Sequence, residues 1–202
     1  MITVYVPRDA AALSVGADEV AAAIATEAVK QKKDVKIVRN GSRGMLFLEP
    51  LVEVETPNGR IAYGPVSPSD VADLFKANFL EGGAHKHYRG ATKEIPYFKM
   101  QERLTFARCG ITDPLSIEDY RKHGGFDGLL KAIAMKPIDI VTEVTASGLR
   151  GRGGAGFPTG IKWKTVHDLA ADQKYVACNA DEGDSGTFAD RMLMEGDPFC
   201  LI

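Results

Sequence analysis

The sequence predicts an α/β protein, and three observations carry that reading. Short apolar runs of strand length stand at residues 2–6 and 35–39. Between them lies an alanine-rich stretch with Val20, Ile24 and Ala28 at helical spacing. Two more strand-like runs, 51–55 and 60–63, flank Pro57-Asn58-Gly59, a strong hairpin signal.

Taken in order, residues 1–80 form one small α/β unit. Residues 2–6 make a strand, 18–32 a helix and 35–39 a second strand; the hairpin follows. Ser67-Pro68-Ser69-Asp70 then opens a helix: Ser67 caps, Pro68 suits the first turn, and Asp70 sits at the reciprocal position. Val71, Leu74, Phe75 and Phe79 supply its buried stripe. The element order is β-α-β-β-β-α.

Residues 81–100 are polar and glycine-containing and read as a linker. His85 and His87 alternate there as a pair that could chelate a metal, but no third ligand stands nearby and a solvated loop is the plainer reading. Residues 101–146 read as helical scaffold. Ser116 caps one helix and Gly124-Gly125 stops it; a second carries Leu129, Leu130 and Ile133; Pro137 begins a third with Ile138, Val141 and Val144 inward.

Bulk composition excludes several classes. The 202 residues are 45% hydrophobic and 26% charged with a formal net charge of −2, so no basic surface marks nucleic acid as a partner. No apolar run reaches the roughly 18–20 residues that span a bilayer. The first residues lack a basic then apolar leader, so a cytoplasmic location and no membrane partner are expected. Cys109, Cys178 and Cys200 are far apart and form no CxxC pair; they read as small buried thiols, with no metal site.

The chemistry concentrates after residue 146. Residues 147–163 read Ser-Gly-Leu-Arg-Gly-Arg-Gly-Gly-Ala-Gly-Phe-Pro-Thr-Gly-Ile-Lys-Trp. Glycines free the backbone to turn its N–H groups toward a ligand, and Arg150, Arg152 and Lys162 add positive charge, a combination that suits a phosphate. The run Gly151-Arg152-Gly153-Gly154-Ala155-Gly156 fits GxGxxG, but the chain before it reads as helix, so a standard dinucleotide fold does not follow. Phe157 and Trp163 either pack on a flat heterocycle or anchor a core. Residues 175–178 read as a short buried strand ending in Asn179, Asp181, Glu182, Gly183 and Asp184. Strand ends gather ligand groups; a small ligand, Mg²⁺ or a solvated acidic turn all fit this spacing.

Together, residues 147–163, Asn179-Ala180-Asp181-Glu182-Gly183, Asp190-Arg191 and Gly196-Asp197-Pro198 resemble the flavin subunit shared by complex I, NAD-reducing hydrogenases and NAD-dependent formate dehydrogenases. Arg108-Cys109-Gly110, Asp113-Pro114 and Tyr120 ahead of Gly124-Gly125-Phe126 fit the same family, so the resemblance runs from about residue 88 to 202. The first 80 residues resemble the thioredoxin-like module fused to some of these subunits, with its middle helix shortened or absent. In its iron–sulfur form, a GCxGxCxxxP loop holds two cluster cysteines. Here Gly41-Ser42-Arg43-Gly44-Met45-Leu46-Phe47-Leu48-Glu49-Pro50 keeps the frame, with Ser42 and Leu46 at the cysteine positions. A cluster-free module serving packing or docking is therefore expected. The run 40–50, with Pro65-Val66, looks most like the β subunit of formate dehydrogenases.

The resemblance implies three parts: a module at 1–80, a linker and helical segment at 81–146, and the start of an α/β FMN-binding domain at 147–202. It implies FMN and NAD as cofactors, hydride transfer between nicotinamide and flavin, and onward electron transfer to iron–sulfur clusters. By carry-over, Gly151, Arg152, Gly153, Gly154, Ala155, Gly156 and Phe157 cradle FMN and the nucleotide, and Lys162 contacts one of them. Asn179, Asp181, Glu182 and Gly183 hold the ribityl chain and ring, and Asp184 approaches the nucleotide. Asp184 stands where the family usually has glutamate, and Ser185 where proline is common. The implied partners are an iron–sulfur subunit and a molybdenum subunit that oxidises formate. A hydrogenase or complex I flavin subunit, or a non-catalytic scaffold, are the rivals. The family continues beyond this chain with a second nucleotide segment and a [4Fe–4S] region, so residues 1–202 are expected by themselves to bind FMN poorly.

Overall fold

A computed structural model describes residues 1–202, which divide into two compact units: Met1–His123 with Glu182–Ile202, and Gly124–Asp181. In the first, strand β1 (Ile2–Tyr5) leads through a short helix α1 (Ala10–Leu13) and helix α2 (Ala17–Lys30) to β2 (Val35–Val38), parallel to β1. A parallel pair needs such a crossover, and α2 supplies it by burying Val20, Ile24 and Ala28. Asp9 caps α1, accepting the Ala12 N–H at 3.4 Å.

Strands β3 (Val52–Thr56) and β4 (Gly59–Tyr63) form the expected hairpin, with Thr56 opposite Gly59 and Pro57-Asn58 as the two-residue turn. Gly59 sits at φ +100°, a conformation that favours glycine. The sheet order β2-β1-β3-β4, with β3 antiparallel to both neighbours, is the thioredoxin arrangement. Between β2 and β3, where a full thioredoxin fold has a helix, there is one 3₁₀ turn (Leu46–Leu48). The Ser67–Asp70 capping box is formed and leads into α3 (Val71–Lys76). Val71, Leu74, Phe75 and Phe79 join Val4, Val6, Ile24, Val54 and Tyr63 in one core.

Several sequence expectations are corrected. Of the three cysteines read as buried thiols, Cys109 is buried, whereas Cys178 and Cys200 are exposed, since the segments that carry them pack against no core. Residues 81–100, read as a linker, contain a fifth strand, β5 (Tyr88–Ala91), antiparallel to β4, followed by helix α4 (Pro96–Lys99). An edge strand with a solvated face needs no apolar alternation, so its sequence is silent. Residues 175–178, read as a buried strand, have no regular structure, and Tyr175 is 86% exposed. All five strands belong to the other unit's sheet, and a strand without a partner leaves its amides unpaired.

Helix α5 (Ile117–Lys122) begins at Ser116, whose hydroxyl accepts the Asp119 N–H. The second unit holds α6 (Asp127–Ile133), α7 (Pro137–Ala146) and α8 (Thr159–Asp168). Helices α7 and α8 pack closely because residue 160 is glycine: a Cβ there would lie 2.6 Å from the Thr145 Cα. Val141 is buried as expected, whereas Ile138 is exposed, as are Leu129, Leu130 and Ile133 of α6. The chain then returns to the first unit through α9 (Ala189–Gly196) and α10 (Pro198–Leu201). There Arg108 Nε donates to a buried Asp197 carboxylate at 2.9 Å. No helix is long and apolar enough to cross a membrane.

Candidate functional site

The glycine-rich stretch lies in the second unit and forms an open loop between α7 and α8. Its base is pinned: Gly151 N–H donates to Phe157 O at 2.9 Å, and Thr159 N–H to Leu149 O at 2.9 Å. Arg150 Nε closes the neck on Gly156 O at 2.7 Å. The amide N–H groups from Arg152 to Phe157 find no acceptor in the chain. Gly154 (φ +99°) and Gly156 (φ +60°) adopt backbone that side chains resist. A Cβ at Gly153 or Gly154 would meet no atom within 4 Å, so the tip is open.

Cations line this loop. Arg152 and Lys162 are exposed, and neither is engaged by a carboxylate. Lys162 Nζ lies 5.6 Å from the centre of the Phe157 ring. Phe157 and Trp163 are 45% and 47% exposed, so neither is a core anchor and both present aromatic surface. Consecutive free amides beside guanidinium and ammonium groups have the donor chemistry that suits phosphate oxygens.

The acidic stretch divides at the boundary between the units. On one side, Asp181 N–H donates to Asn179 Oδ1 at 3.3 Å in a small local turn, and both side chains are exposed. On the other, Glu182 sits at φ +45°, and its carboxylate accepts the Asp190 and Arg191 amides at 2.8 Å each. Glu182 thereby satisfies orphan donors at the start of α9. Gly183 and Asp184 are exposed, and Asp184 O accepts the Thr187 N–H. No three His, Cys, Asp or Glu side chains converge as a metal site would require.

In the thioredoxin-like module the loop at 41–50 is closed on itself. Ser42 Oγ donates to Glu49 Oε1 at 2.6 Å and accepts the Gly44 N–H at 3.0 Å. Leu51 N–H donates to Glu49 Oε2 at 2.9 Å. Burial pushes the Glu49 carboxyl up to about 7, against the pull of those hydrogen bonds. Beneath the loop, Glu53 is 1% exposed and pairs with Arg43 at 2.9 Å. Sequence reading did not single out Glu49, Glu53 or Arg43; charged residues at alternate positions of a strand look like a solvated face until the tertiary neighbours are known.

Residues 144–202 match the model of the Nuo51 FMN-binding domain. The Nuo51 match begins inside α7 and takes in the open loop and the acidic stretch. The chain is 53% identical over 104 residues to the NADP-reducing hydrogenase subunit HndC of Solidesulfovibrio fructosivorans, covering 52% of this chain and 21% of that protein. It is 47% identical over 104 residues to an NADH-quinone oxidoreductase subunit of Rhizobium meliloti (strain 1021), covering 51% and 25%. It is 50% identical over 68 residues to the NAD-reducing hydrogenase HoxS subunit alpha of Cupriavidus necator, covering 34% and 11%. The chain thus spans a quarter or less of the length of these relatives. A thioredoxin-like [2Fe-2S] ferredoxin from Aquifex aeolicus is similar at a TM-score of 0.40 and 20% identity, over 48% of this chain and 96% of that one. A likeness at that level adds nothing to the strand order, on which the thioredoxin assignment rests.

Proposed function

We propose that this chain is part of an NADH-handling flavin subunit, and that residues 151–157 with Arg150 and Lys162 receive the FMN phosphate. The observation that carries this reading is the run of amides from Arg152 to Phe157, free of acceptors within the chain and flanked by cations. Those donors fit a dianionic phosphate group, and the open space at Gly153 and Gly154 lets it approach the backbone. When bound, FMN supplies hydride exchange with a nicotinamide and single-electron exchange with iron–sulfur centres.

The chain's own residues bind and orient. Arg152 and Lys162 offset phosphate charge, and Phe157 offers an aromatic face to a flat ring. Asn179 and Asp181 provide hydrogen-bonding groups suited to ribityl hydroxyls. Glu182, already holding α9, fixes the path of the backbone into Gly183 and Asp184, which this reading directs at the cofactor and nucleotide.

Within that family we favour formate as the electron source. The reading takes support from the likeness of residues 40–50 and Pro65-Val66 to formate dehydrogenase β subunits. It places the protein in the cytoplasm with an iron–sulfur subunit and a molybdenum formate-oxidising subunit. The hydrogenase reading rests on the names of the hydrogenase relatives described above. NAD reduction by the purified complex, driven by formate in one assay and by hydrogen in another, separates the two. For the cradle itself, Lys162→Ala in the complete subunit is expected to lower NADH:dye activity and FMN affinity about tenfold or more with the fold intact. Full flavin content and rate in that variant would refute the assignment.

A further inference from the structure

The loop that occupies the cluster-ligand frame has a second feature: it seats the helix that follows the acidic stretch. A Cβ on Gly41 would lie 2.6 Å from the Gly196 Cα and 3.5 Å from the Gly196 nitrogen. Real Cβ atoms do not approach backbone that closely, so these two chain segments touch only because residue 41 is glycine. Gly44 (φ +87°) repeats the contact one turn earlier on α9, where its Cβ would stand 3.2 Å from Met192 Sδ.

Four further ties hold α9 and the residues just after it within the first unit, one to the module and three to residues 108–120. Glu195 Oε2 accepts the Ala10 N–H at 3.0 Å. Cys109 Sγ, fully buried, contacts Met192 O at 3.7 Å and stands 3.4 Å from the position a Gly196 Cβ would take. Arg108 pairs with Asp197, which is 2% exposed, and Tyr120 and Phe199 bring their rings to 5.5 Å. At its other end α9 is gripped by Glu182 through the Asp190 and Arg191 amides. A continuous path of packed and hydrogen-bonded atoms therefore runs from Gly41 through α9 to Glu182.

We propose that Gly41 is a positioning residue: the cluster-free loop of the thioredoxin-like module sets where α9 lies, and through Glu182 it sets the acidic segment 182–184 that meets the cofactor. The module acts here as a mechanical seat rather than an electron carrier. This inference rests on the reading of residues 151–184 as an FMN site. Its chemistry is steric: adding one methyl at residue 41 moves the end of α9, and the strain reaches the Glu182 carboxylate because both of its acceptor oxygens are committed to that helix.

The test uses the complete subunit in its complex, with Gly41→Ala as the minimal variant and Gly41→Val as the larger one. Hydrogen exchange is followed across residues 182–196, and flavin loss is followed by absorbance after dilution. The expected result is exchange at least tenfold faster in α9 and flavin loss at least fivefold faster, with the β1–β4 core protected as before. Should Gly41→Val fail to accumulate, Gly41→Ala and Asp197→Asn, which removes the charge from the Arg108 tie without adding volume, carry the same measurement. Unchanged α9 exchange in a folded Gly41→Ala protein overturns the proposal. So does loosened α9 with flavin retained, provided Lys162→Ala loses its flavin in parallel. If Lys162→Ala keeps its flavin too, it is the FMN reading that has failed, and the α9 exchange alone then judges whether Gly41 positions the helix.

Discussion

Two glycine-bearing loops in this chain have opposite fates. The loop at 41–50 is inward: Ser42, Glu49 and the Gly44 and Leu51 amides satisfy one another, and Glu53 below is neutralised by Arg43. The loop at 151–157 is outward: its neck is tied by three hydrogen bonds, and its tip presents amides with no acceptor in the chain. Glycine content alone does not separate an open loop from a closed one. What separates them is whether nearby side chains have already claimed the backbone donors. In the first loop a serine and a glutamate do so; in the second the neighbours are arginines and a lysine, which have no acceptor to offer.

That contrast can be broken most forcefully at Glu53. Glu53→Ala leaves Arg43 without its buried partner, and urea unfolding of the module is expected to register a loss of about 3–5 kcal/mol. A loss under about 1 kcal/mol would mean the network is solvated. The next effect concerns Glu49. Because its folded value is raised from 4.5 to about 7, the folded state holds the proton more tightly than the unfolded chain does. The resulting stabilisation is complete below the unfolded value and disappears as pH rises through about 7, amounting to roughly 3 kcal/mol at most. Burial raises Asp9 and Asp197 as well, so they contribute with the same sign. Unfolding free energies between pH 5 and 8 should therefore fall in the wild type and flatten markedly in Glu49→Gln; parallel profiles would contradict the closed-loop picture.

Smaller effects sharpen the outward loop. Gly154→Val places a branched side chain at φ +99°, which costs about 1–2 kcal/mol locally. Flavin retention should drop while the module's unfolding midpoint stays put; a variant that binds flavin normally would show that the tip is not the cradle. Smallest is Leu130→Lys on the exposed face of α6, where residue 130 is 66% exposed. A change within about 0.5 kcal/mol is expected in the 202-residue chain. A much larger loss in the complete subunit would show that this face is covered there.

Much of the module was legible because its signals are local. The Ser67–Asp70 box, the Pro57-Asn58-Gly59 turn and the spacing of Val20, Ile24 and Ala28 each specify their own geometry through contacts within a few residues. The open backbone of residues 151–157 was legible for the same reason: glycine types determine what the backbone can present. Strand β5 was not, since Tyr88-Arg89-Gly90-Ala91 has no pattern of its own and becomes a strand only because β4 offers a free edge. The run at 175–178 is the converse case, β-prone in composition yet unpaired. The buried charges at Glu49, Glu53 and Asp197, and the contact of Gly41 with Gly196, lay beyond sequence reading for one physical reason. Burial and close approach join residues 7 to 155 positions apart, and only the packed chain decides which carboxylate meets a guanidinium and which glycine meets another backbone.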